Sequence, residues 1–271
     1  MGSIRGRAWL DWMRNFGFAK GAPYDRADFW NQAYHRGAAN MQHEWAGVTY
    51  ETVRHYEYKD GTHADASKPN PKRSGSFEDL VPKTASILNV GCGTSPFADE
   101  MWMDGYQSGI TNVDFSEVAI NHRVHSETRL DVHWKVGDAR DLKQFDSGEF
   151  DVVLDKGCID AIYLGGTEAK FESDIGAVVA GAGRVLKRCG TGALVSFSLT
   201  HPKHLLPLLL PMHGWDVPRS EVRQLDNIYL YVLRRAEALY PKKGVTVATN
   251  NFSTGAAHRR RKGRSVWRVT K

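Results

Sequence analysis

A four-residue apolar run, Ile87-Leu88-Asn89-Val90, passes directly into Gly91-Cys92-Gly93-Thr94-Ser95. A strand that ends on two closely spaced glycines lets the backbone turn sharply and approach a ligand before a helix begins. About 20 residues further on, a second apolar run, Ile110 to Asp114, ends on a carboxylate. In a parallel α/β sheet that position lies against ribose hydroxyls of a bound nucleoside. The pairing of Gly91 and Gly93 with Asp114 constrains the fold far more than either part. Pro96 stands where a third glycine would complete a dinucleotide fingerprint, and no Gly-x-x-x-x-Gly-Lys-Ser/Thr segment is present, which disfavours NAD and P-loop nucleotides.

The surrounding sequence alternates short apolar runs with helical periodicity. Ser86–Val90, Ile110–Asp114, Val132–Val136, Phe150–Asp155, Ala193–Leu199 and Ile228–Arg234 read as strands, the last closing the sheet. Ser116–His125 and Ser173–Lys187 read as helices, the second with an apolar face of Ile175, Val178, Val179, Val185 and Leu186. Such alternation means βαβ units and a parallel sheet. After the third strand, Asp138 and Ala139 offer a carboxylate and a backbone amide to an adenine ring, although Asp138 equally fits a turn cap.

Four regions follow from composition. Residues 1–58 are aromatic and helix-compatible, a helical preface to the domain. Residues 59–84 are rich in Lys, Asp, Ser, Pro and Gly, the composition of a flexible insert or linker. Residues 85–235 form the α/β core. Residues 236–271 form a basic tail: Tyr240–Lys271 holds nine Lys and Arg and no Asp or Glu, so removing those nine cations turns the formal charge of +5 into −4. The tail suits RNA, an acidic partner or a nuclear-import address, and equally a solvated end.

Three scattered cysteines, Cys92, Cys158 and Cys189, match no zinc spacing, so no metal is expected and a reducing compartment is. The longest apolar run, Leu205–Leu210, is too short to span a membrane. The expectation is a soluble, cytoplasmic protein, with the nucleus open through the tail; Gly6 and Gly17 argue against an organelle leader.

The order of Leu-Asn-Val-Gly-Cys-Gly, Asn-Val-Asp-Phe-Ser, Gly-Asp-Ala-Arg-Asp-Leu and Phe-Asp-Val-Val-Leu-Asp-Lys-Gly-Cys-Ile-Asp-Ala resembles the methyltransferases that modify lysines of elongation factor 1-alpha. Asp155-Lys156-Gly157 with Asp160-Ala161 is the most specific part; upstream, Asp28-Phe29-Trp30-Asn31-Gln32-Ala33-Tyr34 and His43-Glu44-Trp45 are similar to that family's aromatic motifs. Phe29 and Thr94 depart from its usual Tyr and Asn. The resemblance implies a class I, Rossmann-like seven-stranded α/β sheet with helices on both faces and an antiparallel final strand. It implies S-adenosylmethionine as methyl donor, with S-adenosylhomocysteine as product, and elongation factor 1-alpha as protein substrate. It places Trp30, Tyr34, Trp45, Gly91, Asp114, Phe115, Asp138, Ala139 and Lys156 around the cofactor, beside Gly93 of the glycine turn. Trp30 and Trp45 also suit core anchors, Phe115 packing under a helix, and Lys156 an exposed charge.

Methyl transfer is an in-line displacement, so the protein's task is to orient donor and acceptor and exclude water. Asp155 and Asp160, after the fourth strand, are the candidates for guiding or deprotonating an amine, while Asp160 also fits a cap. A small-molecule methyltransferase, or an RNA methyltransferase using the tail, are the competing readings; against the second, the fourth strand lacks an Asn/Asp-Pro-Pro-Tyr loop.

Overall fold

The computed structural model describes residues 23–36, 44, 47–59, 72–125, 127, 129–188, 191–210, 214–216 and 219–236. Helix α1 (Ala27–Arg36) and the short α2 (Tyr50–Arg54) precede a hairpin of β1 (His55–Lys59) and β2 (Lys72–Ser76). The core follows as β3 (Ile87–Val90), α3 (Phe97–Met103), β4 (Ile110–Asp114), α4 (Glu117–Val124), β5 (Val132–Val136), β6 (Val152–Lys156), α5 (Cys158–Gly165), α6 (Glu168–Val185), β7 (Ala193–Ser198), α7 (Pro202–Leu209), β8 (Glu221–Leu225) and β9 (Ile228–Arg234).

These strands form one sheet in the order β2-β1-β8-β9-β7-β6-β3-β4-β5. Strands β3 to β7 pair in parallel, and β9 runs antiparallel to both β7 and β8. The seven strands from β5 to β8 are the expected mixed sheet with its final strand antiparallel. That final strand does not close the sheet, however. Tight turning at Asp226, whose φ of 48° is left-handed, folds β8 and β9 into a hairpin and leaves β9 inside.

Both sheet faces are covered, which is why the parallel strands read as unbroken apolar runs. Alternate residues face opposite ways. Val152, Leu154, Val195, Phe197 and Leu230 pack with α2 and α3; Val153, Leu194, Tyr231 and Leu233 pack with α5, α6 and α7. Helix α6 begins a turn and a half before the stretch legible from periodicity, because its first five residues offer only Ala169 and Phe171 as apolar positions, and Phe171 lies against Tyr163.

The stretch expected as a linker differs most from its composition. Residues 60–71 lie outside the described residues, but Lys72–Ser76 is an edge strand antiparallel to β1, and Phe77, Leu80 and Val81 are core residues no more than 2% exposed. An edge strand of Lys, Arg, Ser and Gly carries no apolar alternation to read. Gly75 is there to admit the Tyr56 ring, whose Cζ would stand 2.8 Å from a Cβ at that position. The preface likewise ends in a strand rather than a helix, and the tail from 237 lies outside the described residues.

Candidate active site

Strand order reverses at β3, which has β4 on one side and β6 on the other, so a crevice opens at the carboxyl ends of these strands. Two loops meet there. Gly91 and Gly93 adopt left-handed φ of 61° and 53°, and a Cβ on Gly91 would stand 2.5 Å from the Cβ of Cys158, the first residue of α5. The loops touch because Gly91 has no side chain. Gly157 makes the matching turn at φ 83° and caps α5.

Asp114 ends β4 and is 6% exposed. Its carboxylate accepts from the backbone N–H of Gly93 and of Ser116, each at 2.8 Å. Burial pushes its pKa up to about 6, the two amide donors pulling the other way. Asp138, after β5, accepts from Arg140 through Nε at 2.9 Å and Nη2 at 2.6 Å, and Arg140 also donates to Asp174 of α6 at 2.7 Å. The carboxylate is therefore fixed in orientation. Ala139 is buried and Phe115 half-buried beside Asp114.

Helix α1 crosses this crevice. At its start, Asp25 pairs with Lys170 of α6, and the backbone passes so close to Gly165 that a Cβ there would meet Asp25 N at 2.9 Å. In its middle, Asn31 Oδ1 accepts from the Ser116 hydroxyl at 2.6 Å, while the same hydroxyl caps α4 by accepting from Ala119 N. Near its end, the Tyr34 hydroxyl lies over the glycine turn, 2.5 Å from where a Gly93 Cβ would be. Burial, with Asp114 nearby, pushes that phenol's pKa up. Trp30 packs at 6.0 Å from Tyr34 and donates its indole N–H to Tyr24 O at 2.8 Å. Thus Trp30, Tyr34, Gly91, Gly93, Asp114 and Lys156 converge on one crevice; Trp45 lies outside the described residues.

Lys156, the last residue of β6, pairs with Glu44 and lies 5.7 Å from the Phe97 ring centroid. Glu44 also accepts from the Ser95 hydroxyl at 2.8 and 2.9 Å. Sequence reading assigned no role to Glu44, Asn31 or Ser116. Each acts through a partner 51 or more residues away, and no local pattern announces that.

Asp155 and Asp160 are placed differently from the expectation of an acceptor-facing carboxylate. Asp155 has no exposed surface; it accepts from Ser196 Oγ at 2.5 Å and Ile159 N at 3.1 Å, and burial pushes its pKa up to about 7. Asp160 is 1% exposed and accepts from the Ser198 hydroxyl, from Leu199 N at 2.9 Å and from Thr200 Oγ1 at 2.7 Å. Their oxygens are used to fasten α5 to β7 and the loop after it. Cys158 has its thiol pKa raised by burial, as suits a packing residue rather than a nucleophile. His201 caps α7, its Nδ1 accepting from Lys203 N at 3.1 Å.

A glycine turn in the left-handed region, a buried carboxylate on the next strand, an oriented carboxylate on the one after and aromatic rings above them fit a nucleoside that carries a cationic sulfonium. Residues 87–190 match the family model described as a methyltransferase domain. The chain thus carries a class I S-adenosylmethionine-dependent methyltransferase domain, with S-adenosylmethionine as its cofactor.

The chain is also similar to proteins named as lysine methyltransferases. The chain is 26% identical to "EEF1A lysine methyltransferase 4" of Bos taurus, over 81% of this chain and 79% of that protein. It is 34% identical to "eEF1A lysine and N-terminal methyltransferase" of Xenopus laevis, over 55% of this chain and 22% of that protein. It is 32% identical to "Citrate synthase-lysine N-methyltransferase CSKMT, mitochondrial" of Pongo abelii, over 52% of this chain and 63% of that protein. The chain spans less than a quarter of the length of the Xenopus protein.

Proposed function

We propose that the chain is a protein-lysine methyltransferase whose substrate is translation elongation factor 1-alpha, working in the cytoplasm. The observation that carries this reading is its similarity along 81% of its own length to the bovine protein named for that activity.

In this reading Gly91, Gly93 and Asp114 hold the ribose and the neighbouring part of the methyl donor, Asp138 and Ala139 receive the adenine with Phe115 against the ring, and Trp30, Tyr34, Trp45 and Lys156 surround the methionine end. When bound, S-adenosylmethionine supplies an electrophilic methyl group. The chain's own residues orient it and exclude water. Ring faces of Trp30 and Tyr34 favour a cationic sulfonium by about 0.5–2 kcal/mol.

An acceptor lysine has an ordinary pKa of about 10.4 and reacts only when neutral; losing water beside these aromatic walls lowers that value. The buried Asp155 and Asp160, with their oxygens already accepting, shape the floor of the acceptor side and take no proton from the amine. The proton leaves to solvent as the lysine loses its water against these walls.

The test is to incubate the protein with S-adenosylmethionine and purified elongation factor 1-alpha or citrate synthase, then map methyllysine by peptide mass spectrometry. Methyllysine on the elongation factor is the expected result. Methylation confined to citrate synthase, to RNA or to small molecules overturns the substrate assignment.

A further inference from the structure

Glu44 joins the N-terminal segment to the end of β6 and to the loop after β3. Its carboxylate pairs with the Lys156 ammonium at the end of β6, each side chain being 9% exposed. It also accepts from the Ser95 hydroxyl at 2.8 and 2.9 Å, in the loop after β3. Ser95 Oγ in turn accepts from Phe97 N at 3.1 Å, at the first turn of α3, and the Lys156 ammonium stands over the Phe97 ring at 5.7 Å. The two lips of the cofactor crevice are therefore tied to a single carboxylate from the N-terminal segment. A pair this enclosed is an expensive way to gain stability, because desolvating both charges offsets most of their attraction.

What the pair supplies instead is position. Lys156 precedes the left-handed Gly157 and Cys158, and Cys158 packs under Gly91. Holding the Lys156 side chain against Glu44 fixes where its charge stands relative to the glycine turn. The geometry points to Glu44 as a positioning residue for the methyl donor, one that sets the Lys156 ammonium and the β3–α3 loop for binding. This inference rests on the methyl-donor reading of the crevice.

The test measures S-adenosylhomocysteine affinity by calorimetry, and KM and kcat for the methyl donor, in the wild-type chain, Glu44→Gln, Lys156→Met and the double variant. Glu44→Gln weakens affinity about tenfold and raises KM in proportion, while kcat at saturating donor stays within about threefold. In the Lys156→Met background the same Glu44 change alters affinity by less than about twofold, since the coupling runs through Lys156. The double variant, with neither charge left unpaired, also serves where a single one folds poorly.

Wild-type affinity in Glu44→Gln overturns the inference. So does a loss that persists undiminished in the Lys156→Met background, which is the mark of a general structural effect. A wild-type chain that binds no S-adenosylhomocysteine removes the methyl-donor reading first, and this inference with it.

Discussion

The carboxylate of Asp114 accepts a hydrogen bond from the Gly93 amide at 2.8 Å, closing the end of β4 onto the loop that follows β3. The same carboxylate holds Ser116 N, and Ser116 in turn holds Asn31 of α1. One buried acid thus orders the glycine turn, the start of α4 and the helix that crosses the crevice.

Asp114→Asn keeps the shape but removes the charge and turns one acceptor into a donor facing an amide N–H. A hydrogen bond to a charged group contributes about 1.5–3 kcal/mol, so affinity for S-adenosylhomocysteine falls roughly 10- to 100-fold. Calorimetric titration measures this; affinity equal to wild type contradicts a ligand-holding role for Asp114.

Gly91→Ala forces a Cβ to within 2.5 Å of the Cys158 Cβ at a left-handed φ of 61°. Left-handed backbone and overpacking together cost about 2–4 kcal/mol. Cys158→Gly in the Gly91→Ala background removes both the 2.5 Å contact with Cβ and the 2.8 Å contact with Sγ and recovers part of that loss, whereas Cys158→Ala recovers less because its Cβ remains. Urea denaturation midpoints of the three variants decide it.

The fold was legible wherever burial writes a pattern into the sequence. Strands β3, β4, β6 and β7 are buried on both faces and announce themselves as apolar runs; Gly91, Gly93 and Asp114 announce a ligand turn through residue types that few other backbones need. Strands without an apolar run did not announce themselves. The edge strand Lys72–Ser76 and Glu221–Leu225, which lies between β1 and β9, are held by main-chain pairing, which leaves composition nearly free. The Asp155 and Asp160 readings diverged for a related reason. A carboxylate after a strand looks the same whether it faces ligand or neighbouring hydroxyls, and only β7, some 40 residues later, brings Ser196 and Ser198 to meet them.

Asp160→Ala leaves the Ser198 hydroxyl, Leu199 N and Thr200 Oγ1 without their acceptor. Stability falls by about 3–5 kcal/mol. Loss of methyl transfer then follows loss of folded protein, and activity per folded molecule at low temperature changes little. A large drop in turnover with an unchanged melting curve would instead make Asp160 catalytic.

Asp155 and Asp114 impose a pH dependence of definite sign. Their folded pKa values, about 7 and about 6, lie above the ordinary 3.8, so the folded state binds more protons between these limits. The stability they contribute is full below about pH 4 and is lost as pH rises to 6 and 7. For Asp155 the loss is on the order of 2–4 kcal/mol. Carboxylates with lowered pKa, such as Glu127 at about 2, act in the opposite sense only at lower pH. Asp155→Asn flattens the fall between pH 4 and 7 in denaturant melts; an unchanged profile contradicts the burial of a titrating Asp155.

On the proposed reading this crevice transfers methyl groups to protein. The decisive measurement supplies tritiated S-adenosylmethionine to fractionated cell extract with the wild-type chain or Asp114→Ala, followed by protease or ribonuclease treatment. The expected label requires Asp114, is lost to protease and runs at the size of elongation factor 1-alpha. Label that survives protease and is lost to ribonuclease, or that Asp114→Ala leaves undiminished, would contradict it.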